Sequence, residues 1–162
     1  MPGPALSQLS AHRSIHDAAL EEAEDLTSLL AQSIQQGDHE QIRQVAYVLL
    51  EHWETRTLRH ADVEEREFYR EIESTFPSLK TTVVQLSRDH ELLRMIAGEI
   101  KHRLTQDVSW QDVLIRFQAL ILLNRMHSLS EETYLIKPVE AAKERKRRED
   151  AKGGDGSGDA LD

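Results

Sequence analysis

Cysteine is absent from the 162 residues. Disulfides, zinc ribbons, thiolate catalysis and iron-sulfur clusters are therefore excluded, and any metal must be held by nitrogen and oxygen. Glycine and proline are scarce away from the two ends: only Gly37, Pro77 and Gly98 interrupt positions 5–137. Aromatic residues make up just 5% of the chain, and the Leu, Ala, Glu, Gln and Arg that dominate favour helix over sheet. No apolar run approaches the length needed to cross a bilayer, and MPGPALSQLS lacks the charged-then-apolar pattern of a secretory leader. The expectation is a soluble, cytoplasmic, monomeric protein with no membrane contact. Positive charge is also short, 20 basic against 29 acidic residues for a net charge of -9, which argues against nucleic-acid binding. The one basic cluster, KERKRR from Lys143, is offset by neighbouring acids and reads as a solvated helix end.

What is present is a repeated phrase. In HADVEEREFY, His60 and Glu64 stand four residues apart, about 6 Å along a helix axis and on one face, where both can grip one metal centre. The wording returns in HSLSEETYLI, with His127 and Glu131 at the same spacing, a second Glu after each (Glu65, Glu132) and an apolar pair next (Phe68-Tyr69, Leu135-Ile136).

The hydrophobic content, 39%, suits a single core. After a short lead over 1–8, Ser7 or Ser10 can cap a first helix whose inward stripe is Leu9, His12, Ile15 or His16, Ala19, Ala23, Leu26 and Leu30. Gly37-Asp38 is a stop and a new cap. A long second helix from about His39 to Ser74 turns Ile42, Val45 or Ala46, Leu49, Trp53, Thr57, His60, Glu64 and Phe68 inward. Pro77 breaks it, and Ser78 can cap a third helix with Val83, Leu86, His90, Leu93, Ala97, Ile100 and Leu104 inside. Trp110 or Asp112 opens a fourth, with Val113, Phe117, Leu120, Asn124, His127, Glu131 and Tyr134 or Leu135 inward, and Pro138 bends or ends it. The fold class is all-α, an up-down-up-down antiparallel four-helix bundle over 9–138. Residues 139–162 are expected to be a charged, disordered tail.

Antiparallel topology supplies a test, because residues at one height on neighbouring helices are equidistant from the turn between them. The midpoint of His16 and His60 is position 38, of Glu64 and His90 position 77, and of His90 and His127 about 108, each at a turn signal found independently. The inward histidines and both glutamates thus share a layer. Two carboxylates in an apolar layer require a cation, and a nitrogen and oxygen donor set suits iron, manganese or zinc. Two carboxylates among five histidines favour a dinuclear site with the carboxylates bridging.

A lone His, HxxxE, a lone His and HxxxE, one element per helix, resemble the hemerythrin-like (HHE cation-binding) family over about Leu9 to Pro138. Carried over by position, the metal ligands are His60 with Glu64, His127 with Glu131, His90 in SRDHELL, and His12 in SAHRSI joined by the inward His16. The family's oxygen carriers pair two histidines on the third helix; here the pair lies on the first, and Arg94 occupies the third-helix position. The resemblance implies two iron ions with a bridging oxide or hydroxide and dioxygen as ligand. If His12 and His16 both bind, one position stays open for dioxygen; if one binds, more open, which favours an enzyme decomposing hydrogen peroxide or handling nitric oxide. A third reading is an iron- or oxygen-responsive regulator whose charged tail meets a protein partner. Thr57 and Asn124, each one turn before a motif His, are candidate hydrogen-bond partners for those ligands. Trp53 reads as core, and His39, His52 and His102 as surface. Glu99 with His102 spells a ferritin-type ExxH, but it occurs once and points away from His90.

Overall fold

The structure, a computed structural model, describes residues 9–107 and 109–153, apart from the side chains at 9, 10, 12 and 153. It is an all-α, up-down-up-down antiparallel bundle: α1 (Leu9–Gln36), α2 (39–75), α3 (Lys80–Leu104) and α4 (110–153). Helix α1 packs on α2 and α4, and α3 packs on the same two from the other side, so the four enclose a common interior.

The turns follow the local chemistry. Gly37 takes φ +71°, its N–H and that of Asp38 bonding back to the carbonyls of Ile34 and Ser33, and the Asp38 carboxylate accepts from Gln41 N–H at 3.0 Å. This is the glycine stop and aspartate cap read from the sequence. Phe76, before Pro77, is forced out of helical backbone to φ -129°, ψ 73°. Ser78 does not cap α3, because residues Pro77–Leu79 form a 3-10 turn and Leu79 takes the cap position without a side-chain bond. Ser7, the other proposed cap, lies outside the described residues, as does the side chain of Ser10.

Helices α2 and α4 are not uniform. Two π-helical turns, Trp53–Leu58 and Glu64–Phe68, interrupt α2, and Glu132–Ile136 interrupts α4. A π turn carries an extra residue in its loop and shifts the facing of everything beyond it. In consequence adjacent pairs are buried together where an α-helix would turn one outward: Phe68 with Tyr69, and Leu135 with Ile136. The same device carries α4 past Pro138. The wider turn before the proline eases the contact with the preceding carbonyls that would otherwise break the helix. The expected disordered tail is corrected accordingly: the helix continues to Gly153, anchored by fully buried Val139, while residues 154–162 lie outside the described set.

The apolar interior falls into two clusters. One gathers Leu30, Ile42, Leu49, Trp53, Leu93, Ile100, Phe117 and Leu120 from all four helices. The other gathers Phe68, Tyr69, Ile72, Val83, Leu86, Leu135, Ile136 and Val139 from α2, α3 and α4. Between them, on every helix that spans both, sit the histidines and glutamates of the repeated motif. No helix is long and apolar enough to cross a membrane among the described residues.

Candidate metal centre

Glu64 is the hub of that layer. It is 2% exposed and begins the second π turn of α2. Its Oε1 lies 2.8 Å from His16 Nε2 on α1 and 2.9 Å from His60 Nε2 one helical turn earlier, and its Oε2 lies 3.3 Å from His90 Nε2 on α3. His90 Nε2 is in turn 3.1 Å from His127 Nε2 on α4. The donor atoms form two overlapping groups, His16 with His60 and Glu64, and Glu64 with His90 and His127, each compact enough to hold one metal ion. Glu64 belongs to both.

Glu131 reaches the layer differently. It is 1% exposed; Tyr69 O–H donates to its Oε1 at 2.8 Å, and its Oε2 stands 3.7 Å from His16 Nδ1. Burial, reinforced by the charges of Glu131 and Glu64, pushes the Tyr69 phenol well above its usual range. The group therefore stays a neutral donor, with its ring stacked on His90 at 5.7 Å and 4° between planes.

The far nitrogens of two imidazoles are held by carboxylates that the sequence reading did not single out. His90 Nδ1 lies 2.9 Å from Glu65 Oε1, and His127 Nδ1 lies 3.4 Å from Asp89 Oδ2. A carboxylate accepts, so these contacts place the proton on Nδ1 and leave both Nε2 lone pairs aimed inward, the tautomer of a metal-ligating histidine. Two lone pairs 3.1 Å apart repel unless a proton or a metal cation lies against them. The charges respond in opposite directions. Burial pushes the His90 imidazole down, but hydrogen bonds and charges from Glu64 and Glu65 outweigh it, so the net shift is upward. Burial pushes His127 down, with neighbouring His90 adding to the effect. Two buried carboxylates and four converging imidazoles, with no Lys or Arg among them, are a donor set suited to divalent or trivalent cations.

Of the seven residues proposed from the sequence, six (His16, His60, Glu64, His90, His127 and Glu131) meet in this layer, and the side chain of His12 lies outside the described residues. Arg94 turns away to Asp62 and Glu65, at 2.7 and 3.1 Å, so α3 contributes one imidazole. Glu132, the counterpart of Glu65 in the second copy, pairs with Arg13 of α1. Thr57 and Asn124 hydrogen-bond neither motif histidine; both instead line a cavity beside the layer. His52 is not a surface residue. It is 6% exposed beneath α1, where its Nε2 donates to the Ala19 carbonyl at 2.8 Å. His39 and His102 are exposed, Glu99 pairs outward with Arg116, and Trp53 is fully buried.

The outer partners had faint sequence signals: Glu65 is the second member of the Glu-Glu pair, and Asp89 directly precedes His90. The cavity, about 490 Å³, opens between α1 and the first π turn of α2 and reaches His16, His60, Glu64, His90 and His127. Among known families, the model of the hemerythrin HHE cation binding domain matches residues 7–139. No curated protein and no solved structure matches the chain.

Proposed function

The chain belongs to the hemerythrin HHE cation-binding domain family, and from that premise we propose that its buried layer holds two iron ions and binds dioxygen reversibly. The observation that carries this reading is the position of Glu64 in both donor groups, the arrangement of a carboxylate that bridges two cations. His16 and His60 serve one ion, and His90 and His127 the other. Glu131 adds an oxygen whose partner atom is restrained by Tyr69. Iron, when bound, supplies the reversible electron transfer that dioxygen capture needs. The protein's part is to aim the imidazoles through Glu65 and Asp89 and to pack apolar clusters above and below the layer, which the cavity reaches from one side.

The test is metal analysis of the iron-loaded protein with optical spectra before and after reduction and re-aeration. Two irons per chain and a visible absorption change that reverses on removing dioxygen are the expected result. One iron, or no optical response to air, refutes the proposal.

A second reading, turnover of hydrogen peroxide, is favoured by the neutral Tyr69 phenol beside the layer and by the width of the cavity. Tyr69 O–H, held neutral, donates to Glu131 Oε1 and so keeps a hydrogen-bond donor beside the layer. Steady peroxide consumption by the iron-loaded protein, slowed in Tyr69→Phe at unchanged iron content, would select this reading. A stable, reversible dioxygen adduct without consumption would select the first.

A further inference from the structure

The cavity is larger than a diatomic ligand requires. At about 490 Å³, a volume that includes the space between the donor atoms of the layer, it falls among sites that hold organic molecules, about 300–1,000 Å³. One part of its wall is apolar, formed by Ile15, Ala18 and Ala19 of α1 and by Ala61 and Val63 of α2, and Ser14, Thr55, Thr57 and Asn124 add hydroxyl and amide groups. Two sets of ionisable groups stand out. The inner end is the layer of imidazoles and Glu64. The mouth carries Arg56 and Arg59, both exposed and three residues apart at the end of the first π turn.

They are the arginines that line the cavity, and among the described residues no carboxylate pairs with either. The one carboxylate on the cavity wall near them, Glu22, faces His52 at 3.5 Å. Paired guanidinium groups at the entrance of an apolar slot complement an anionic head on an aliphatic body, and arginine matches a carboxylate in two-point geometry.

We infer that the cavity binds an aliphatic carboxylate, a fatty acid of medium chain length, with its head held by Arg56 and Arg59 and its chain lying along Ile15, Ala18, Ala19 and Val63 toward the metal-binding layer. Only the identity of what the far end of the chain meets rests on the di-iron reading; the slot and its two cations do not. The chain then ends beside the donor layer, where a saturated carbon chain fills space without ligating a metal.

Calorimetric titration of the full-length, iron-loaded protein with decanoate, and with decanol as the uncharged control, tests this. Decanoate should saturate and decanol should bind more weakly. The double variant R56E/R59E should weaken decanoate by about tenfold or more, the effect of one lost charge-assisted hydrogen bond, at unchanged iron content. Ala18→Trp, a change at an exposed wall position, should block binding while both arginines remain. Absence of saturable heat with decanoate, equal affinity in R56E/R59E, or equal affinity in Ala18→Trp would each overturn the inference. Failure to retain iron would instead strike the proposed function, and the same titration on metal-free protein would still decide the cavity.

Discussion

At the scale of single residues, the layer separates groups that hold a cation from groups that aim them. Glu64 touches three imidazoles and belongs to both donor groups, so Glu64→Gln should remove metal from both at once. Metal analysis after dialysis should find neither ion retained; retention of one would show that the groups are independent. Glu65 acts through His90, and Glu65→Gln should leave the stoichiometry intact while weakening affinity by about 10- to 100-fold, read by competition with a chelator. Tyr69 has a third role. Its hydroxyl donates to a buried carboxylate oxygen, and Tyr69→Phe should cost about 1–3 kcal/mol in denaturant unfolding of the metal-free protein. An unchanged midpoint would show that Glu131 finds another donor.

The elements show how much of this could be read from sequence and where reading stopped. Apolar spacing, Gly37-Asp38 and Pro77 were sufficient to place four helices and to bring His16, His60, Glu64, His90 and His127 to one height, because these signals are local. Gly37→Ala tests the clearest of them. At φ +71° a side chain is strained although nothing crowds it, and the substitution should cost about 1 kcal/mol in thermal or denaturant unfolding. The π turns left no such trace. They arise because both ends of a helix are held by packing one residue out of α register, a condition set by partners distant in sequence. For the same reason the helical run beyond Pro138 was misread as a tail: its polar composition hid the single buried anchor, Val139. His52 was misjudged because its burial depends on the approach of α1 and on one carbonyl, at Ala19. Asp89 and Glu65 could not be told from surface acids until the helices that face them were in place.

For the whole molecule, the centre and the stability are linked. A layer with two buried carboxylates is tolerable when cations neutralise it and costly when they are removed. Chelation should therefore lower the melting temperature by much more than loss of a surface ion would, and an unchanged melting temperature after complete metal removal would exclude a structural role for the ions. Leu93→Ala, in the larger apolar cluster, provides a scale: about 2–5 kcal/mol from packing alone.

The division of the interior into two clusters on either side of the layer has a further consequence for cooperativity. Among the described side chains the smaller one draws on α2, α3 and α4, while α1 contributes to the larger cluster and the layer. Loaded protein should melt as a single unit. Stripped of its ions, it should come apart in stages, with amide exchange around Ile72, Leu86 and Ile136 quickening before that around Leu49 and Phe117, so that the metal acts as the rivet between two halves that would otherwise open at different temperatures.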